Sequence, residues 1–333
     1  MTVSVAAIDV GSTAVRSATR SRGRMNFASE PHLYLDLPDD EGSRRLVERF
    51  EISPVVVEGR MLICGDEAVE LGGAIGRVPS ECFERGLPAS SNRLARAATR
   101  ALMERTLRPS APPGEACVFC VPEAAAVGPD GVPMSGLTIG SIIAGLGYEP
   151  APFGAAVAAG LGAAGPDGTG LVIVIGQSFT QMTLMVLGDC IASVTTRRAG
   201  YVIDREAAEV LGLEPGRVRL IRERGVDLSE PQTREEEAIA VYVRTSIAHL
   251  VLSMREHAAL LEHAAAAAGG ALPVWLAGGF ARTGGLGGMA GPVAAELAPL
   301  AAIVDLAEPE AVEEPELAVL KGCILMAAAQ PAR

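Results

Sequence analysis

The stretch Gly170-Leu-Val-Ile-Val-Ile-Gly-Gln-Ser-Phe-Thr-Gln-Met-Thr183 decides how the chain is read. Leu171 to Ile175 is a short β-branched, apolar run, which reads as a buried strand. Gly176, Gln177 and Ser178 follow as a small-residue turn. A second apolar run from Met182 to Leu187 returns the chain to Gly188 and Asp189. Strand, tight turn and strand make a hairpin whose turn amides can face a phosphate, because small residues leave N–H groups uncovered. The chain opens on a similar unit: Val3 to Val10, the turn Gly11-Ser12-Thr13, then Ala14 to Thr19. Two such hairpins predict a pseudo-repeat in two lobes, each offering one hairpin to a shared cleft.

The length of 333 residues suits two domains, and 49% hydrophobic residues suffice for large cores of Ala, Val, Leu and Ile. The net charge of -12 argues against nucleic acid as a partner and against purely electrostatic attachment to membrane. Lys321 is the only lysine, a bias read as genomic composition. Among six cysteines only Cys117 and Cys120 form C-x-x-C, inside a run that reads as a buried strand. No second ligand pair follows, so they read as small core residues and not as a zinc or redox motif. The chain starts without a basic and apolar leader, and no apolar run reaches about 18 residues without helix breakers. The expectation is a cytoplasmic protein with reduced thiols.

Along the chain, residues 20–66 read as polar and irregular at first. Strands are expected at Ile52 to Val57 and Arg60 to Cys64, and a short helix at 65–71. Ser90 to Leu107 reads as an amphipathic helix with a solvated basic side at Arg93, Arg96 and Arg100. A loop at 109–114, a strand at 116–121 ended by Pro122, and a helix at 135–146 follow. Residues 151–164 read as a helix of very small residues, suited to close backbone approach. Further elements are a strand at 190–196, helices at 202–211 and 233–268 (one or two), a strand at 273–277 running into a Gly-rich segment, and a last helix at 317–329. Asp9, at the end of a buried strand, is either an acid facing a polar cleft or a turn-forming cap.

Three of these motifs stand in a characteristic order. Ala7-Ile-Asp-Val-Gly-Ser-Thr13 resembles the first phosphate loop of the actin, sugar-kinase and heat-shock-chaperone ATPase superfamily. Val172-Ile-Val-Ile-Gly-Gln-Ser-Phe-Thr180 resembles its second phosphate loop, and Val274-Trp-Leu-Ala-Gly-Gly-Phe-Ala281 its adenosine loop. Within the superfamily the chain is most similar to bacterial actins of the MreB type, through Val118-Phe-Cys-Val-Pro122, Gly65-Asp66-Glu67-Ala68 and the stretch Pro152 to Leu161. The resemblance implies an α/β protein with the two-lobed actin-like ATPase fold, built from duplicated ribonuclease-H-like mixed sheets around a central nucleotide cleft. The lobes are expected at 1–165, with a small subdomain near 25–75, and at 166–333, with a helical subdomain near 205–270. The last helix is expected to return to the first lobe.

By the same resemblance the ligand is ATP or ADP with Mg2+, held without direct protein–metal bonds. Asp9 is implied in the magnesium-water shell. Gly11, Ser12, Thr13, Ala14, Gly176, Gln177, Ser178, Gly278, Gly279, Phe280 and Ala281 are implied in nucleotide binding. The implied role is a divergent cytoskeletal or cell-shape protein that assembles into filaments. The alternatives are a non-polymerising chaperone or reactivase and a pseudo-ATPase scaffold. The family's membrane anchors, an apolar loop or an N-terminal amphipathic helix, have no obvious counterpart here. The departures bear on mechanism. Val174 stands where an active member carries a metal-shell Asp, Ala151 where an acid or amide orients the attacking water, and Phe280 in place of a third glycine. A positioned base is worth about 10²–10⁴-fold, so turnover is expected to be slow or absent. Gln177 can donate to a phosphate; Phe179 and Phe280 can equally fill the cleft.

Overall fold

The computed structural model describes residues 5–21, 24–84, 87–88, 92–107, 114–121, 134–282 and 289–329. Residues 3–4 of the first expected strand, the loop at 109–113, Pro122 and the Gly-rich segment at 283–288 lie outside them. Contacts divide the chain into two compact units, one running to Pro152 and returning at the C-terminus, the other from Phe153 to Met326.

In the first unit, β1 (Val5–Val10), β2 (Ala14–Ser21) and β3 (Arg24–Pro31) form an antiparallel meander. A four-stranded sheet and two helices follow as β4 (Leu33–Pro38), α1 (Glu41–Arg49), β5 (Val55–Val57), β6 (Arg60–Cys64), α2 (Asp66–Ile75) and β7 (Ser80–Glu81). After the two-residue strands β8 (Phe83–Glu84) and β9 (Leu87–Pro88) come α3 (Arg93–Leu107), β10 (Glu115–Val121), α4 (Met134–Gly145) and β11 (Tyr148–Gly154). The main sheet runs β11-β10-β1-β2-β3, with β10 parallel to β1. Ile8, Val15, Leu102, Phe119 and Ile143 centre its core.

The second unit begins with α5 (Ala155–Ala164) and a second meander, β12 (Gly170–Ile175), β13 (Thr180–Val186) and β14 (Asp189–Thr196). Helices α6 (Gly200–Leu211), α7 (Pro215–Glu223), α8 (Arg234–Arg255) and α9 (Ala258–Ala268) lead to β15 (Val274–Ala277). Then come α10 (Ala290–Glu296), α11 (Ala298–Ala301), β16 (Glu310–Ala311) and α12 (Ala318–Ala329). This sheet runs β14-β13-β12-β15-β16, with β15 parallel to β12. Its order repeats that of the first sheet strand for strand, so the mixed sheet is duplicated.

Alternation along β12 sends Leu171, Ile173 and Ile175 into the large core with α6 and α8, and Val172 and Val174 to the other face with α5 and α12. Both faces are covered, which is why the strand reads as a continuous apolar run. The small-residue stretch permits backbone contact there. A Cβ on Gly162 would lie 1.8 Å from the Ala318 carbonyl oxygen, and one on Gly322 1.8 Å from that of Ala158. Helix α8 is long and apolar enough to cross a membrane, but Ile239, Val243, Ile247, Leu250 and Met254 are buried in the core of its own unit. Cys117 and Cys120, three apart on β10, point to opposite faces and are both buried.

Two stretches depart from the sequence reading. Residues 151–154 belong to strand β11, not to the small-residue helix, which starts at Ala155. Pro150 and Pro152 hold the preceding residues extended and supply no N–H, so an edge strand suits them and a helix does not. Residues 24–49, read as irregular, hold β3, β4 and α1. The edge strand β3 is largely exposed and so carries little apolar alternation. Helix α1 starts on Asp40, whose Oδ1 accepts from the Ser43 N–H at 2.8 Å.

Candidate functional site

The first turn is closed by the Gly11 amide donating to the Ala14 carbonyl at 3.0 Å, leaving Ser12 and Thr13 at its tip. Two residues earlier on β1, Asp9 stands opposite Arg16 of β2, with Oδ2 3.6 Å from Nη1. Burial raises the Asp9 pKa above the usual carboxylate value, and the Arg16 guanidinium pulls against it. A strand-end carboxylate is thus kept in a poorly hydrated place with one weak partner. Beneath the turn lies His32, fully buried. Its main-chain N–H donates to the Thr13 carbonyl at 2.9 Å, and its Nδ1 sits 2.7 Å from the Gly11 carbonyl. Nε2 is 2.9 Å from Thr99 Oγ1 on α3. Burial lowers the ring pKa to about 4, so the imidazole is neutral at physiological pH. A carbonyl only accepts, so Nδ1 carries the proton, and Nε2 faces the Thr99 hydroxyl, whose single proton also points to the Ala95 carbonyl at 2.9 Å. Among the described residues, none of the hydrogen bonds uses the Ser12 or Thr13 amide.

The second turn has the same construction. The Gly176 amide donates to the Phe179 carbonyl at 3.0 Å, with Gln177 and Ser178 at the tip. Its carbonyls are held by the start of α6: Gly200 N–H donates to Gly176 at 3.0 Å and Tyr201 N–H to Gln177 at 2.7 Å. These bonds satisfy helix N-terminal amides that would otherwise lack partners. The Ser178 hydroxyl is buried and finds no hydrogen-bond partner among the described residues.

Matching the two hairpins residue for residue places Val174 where β1 has Asp9. In each, the residue lies two before the turn glycine and pairs across to the next strand, Asp9 with Arg16 and Val174 with Gln181. Val174 is buried on the α5 and α12 face. The duplicated architecture itself therefore identifies the position at which the second hairpin lacks an acid.

The Gln177 side chain does not extend freely from its turn. Its Nε2 donates to Asp204 Oδ2 at 3.1 Å, and its Oε1 accepts from Arg222 Nη2 at 2.9 Å. Arg222 also holds Asp204 in a two-pronged pair, Nε to Oδ1 and Nη2 to Oδ2, both at 2.9 Å. Each side chain of this pair is only 4% exposed. The guanidinium lies over the Phe280 ring, 4.3 Å from its centroid. Gln177 on the turn, Asp204 on α6, Arg222 on α7 and Phe280 after β15 thus form one closed cluster. Phe280 is buried in the second unit's large core.

Gly278 follows β15 at φ +94°, a backbone region suited to glycine, and its amide donates to the Pro315 carbonyl at 2.7 Å. A Cβ there would lie 2.4 Å from the Ile175 carbonyl oxygen, because β15 and β12 run side by side. Gly279 is exposed and opens the 3₁₀ turn Gly279–Arg282, which contains Ala281. Within the second unit, Gly176, Gln177, Ser178, Gly278 and Phe280 are therefore brought together. Asp9, Gly11, Ser12, Thr13 and Ala14 are brought together in the first. Ala151 and Glu149 both lie in β11.

Sequence reading misses His32, Asp204 and Arg222. Their signal is charge or polarity on an apolar face. Asp204 shares the buried face of α6 with Ile203, Ala207 and Ala208, and Arg222 that of α7 with Val218. An ionisable residue in such a stripe needs a partner.

Among solved structures, the chain is similar to a MamK double helical filament, with a TM-score of 0.71, 16% identity, and 98% of this chain and 99% of that chain covered. It is also similar to MreB5 of Spiroplasma citri bound to AMPPNP, with a TM-score of 0.65, 15% identity and coverage of 98% and 96%. The same protein bound to ADP gives a TM-score of 0.66 at 14% identity, with coverage of 98% and 96%. These likenesses establish the fold of the actin-like ATPases. No curated protein matches the chain in sequence. The family model described as Volactin matches residues 4–328, nearly the whole chain, and the chain belongs to that family.

Proposed function

We propose that this protein is an actin-like cytoskeletal protein that binds ATP or ADP with Mg2+ and assembles into filaments serving cell shape, with slow or lost hydrolysis. The observation that carries the nucleotide reading is the pair of like-built turns. In each, carbonyls are bonded inward, and the first leaves the Ser12 and Thr13 amides without acceptors among the described residues. Such amides suit phosphate oxygens. The unpartnered Ser178 hydroxyl suits another. In this reading each turn is by itself a phosphate-binding element, Gly11, Ser12, Thr13 and Ala14 in the first unit and Gly176 and Ser178 in the second. Gly278, Gly279, Phe280 and Ala281 border the nucleoside, and Gln177 acts through its cluster. Asp9 orients the water shell of Mg2+, which would neutralise phosphate charge.

Hydrolysis needs an aligned water and stabilised charge. The second hairpin has Val174 at the acid position, and Ala151 has no proton-accepting side chain. The protein therefore acts through binding, exchange and assembly more than through turnover. The filament form of MamK and the AMPPNP and ADP complexes of MreB5 support the reading. None of the six cysteines is in a disulfide and five are buried, which suits a cytoplasmic setting.

A second reading, a pseudo-ATPase scaffold, is favoured by one feature. Gln177 is already bonded to Asp204 and Arg222 and does not need a ligand to be satisfied. Sedimentation with and without Mg-ATP, beside calorimetric titration, separates the two. Nucleotide binding with pelleting supports the first reading. Absence of both overturns it in favour of the scaffold.

A further inference from the structure

Both turns have their carbonyls tied inward, but by different devices. In the second turn the tie is the amide-rich start of α6, bonded to Gly176 and Gln177. In the first there is no helix; the same task falls to one residue, His32, bonded to Gly11 through its ring and to Thr13 through its main chain.

The consequence follows from peptide geometry. A trans peptide is planar, and its C=O and the next residue's N–H point in opposite directions. Turning the Gly11 carbonyl toward the buried ring therefore turns the Ser12 N–H away from it. The Ser12 amide has no acceptor among the described residues. The carbonyl could otherwise close an ordinary tight turn with the Ala14 amide; the ring takes it instead.

The ring is itself fixed on its remaining sides. Thr99 holds Nε2, and Phe83 meets the ring edge-on with centroids 4.9 Å apart. The Cys82 amide donates to the His32 carbonyl at 3.2 Å. His32 has little freedom to move, and neither has the carbonyl bonded to it.

We propose that His32 is the positioning residue of the first turn, holding the Gly11 and Thr13 carbonyls so that the Ser12 amide is aimed at an incoming phosphate. This rests on the nucleotide reading above. His32 does not touch the ligand; it acts through the Gly11–Ser12 peptide. It makes the turn ready for an anion before the ligand arrives, which removes an ordering step from binding.

The test is calorimetric titration of the full-length chain with Mg-ATP, Mg-ADP and adenosine. His32→Phe keeps a buried ring and removes the N–H. It is expected to weaken ATP and ADP about 10-fold while adenosine, which has no phosphate, stays within about 2-fold. His32→Asn, whose Nδ2 stands where Nδ1 does, is expected to restore phosphate affinity. Equal loss for adenosine and ATP, or unchanged ATP affinity in His32→Phe, overturns the proposal and leaves the nucleotide reading intact. A wild-type chain that binds none of the three overturns both. Should His32→Phe fail to fold, nitrogen NMR of the wild-type ring at pH 7 decides. A proton on Nδ1 supports the proposal, and a proton on Nε2 alone overturns it.

Discussion

Replacing Arg222 with methionine is the perturbation to which the second unit should respond most. The substitution keeps a long, flexible, apolar stem but removes three bonds: two to Asp204 at 2.9 Å and one to Gln177 at 2.9 Å. Asp204 keeps only the Gln177 amide at 3.1 Å and stays at 3% exposure. A buried carboxylate deprived of its counter-charge costs about 3–5 kcal/mol. Loss of the guanidinium from the Phe280 face adds up to about 2 kcal/mol where the pair is desolvated. The two contributions overlap, so about 4 kcal/mol is a fair central figure. For a unit of this size each kcal/mol lowers the thermal midpoint by about 2–4 °C, which gives a fall of about 8–16 °C.

The assay is thermal and urea unfolding of the full-length chain, followed at the lower of any separate transitions. The control is the triple change Arg222→Met, Asp204→Leu and Gln177→Leu, in which no polar group remains to be stranded. It should recover most of the loss, because an apolar set of similar volume often replaces a buried ion pair without penalty. A single variant that loses less than about 1 kcal/mol would refute the argument. So would a triple variant no better than the single.

Two further outcomes follow from the loops. The buried His32 ring titrates at about 4 when folded and near 6.5 when unfolded, so between these values the unfolded chain binds a proton that the folded one does not. Stability therefore falls on acidification through that window, by on the order of 3 kcal/mol in total. Urea unfolding from pH 7 to 4 should lose this part of its slope in His32→Asn. At the turn after β15, Gly278→Ala forces a Cβ to 2.4 Å from the Ile175 carbonyl at φ +94° and should destabilise by about 3 kcal/mol or more. Gly279→Ala meets nothing within 4 Å and should stay within about 0.5 kcal/mol. Urea midpoints that rank these two the other way would contradict the loop geometry.

Much of the architecture is written in local pattern. The run Leu171 to Ile175 is apolar at every position because both faces of its sheet are covered, and that continuity alone marks it as an inner strand. Gly11 and Gly176 punctuate the two hairpins, and the spacing of Asp9, Gly11, Gly176 and Gly278 suffices to suggest a duplicated fold. Pro150 and Pro152 hide a strand, since proline reads as a breaker yet suits an edge. The exposed edge strand β3 is hidden for the opposite reason: with little to bury, it has little apolar pattern to read.

What the chain determined by itself, then, is where it turns and which runs it buries, because those follow from side-chain size and polarity at neighbouring positions. Only the tertiary structure decided what the turns are bonded to. Gln177, Asp204, Arg222 and Phe280 belong to four separate elements, and His32 meets Gly11 and Thr99 from a third segment. Hydrogen bonds and ion pairs act over about 3 Å in space, irrespective of separation along the chain, so no periodicity records them. Gln177 alone reads as a phosphate donor; packed against Arg222 and Asp204, it is a strut of its own unit.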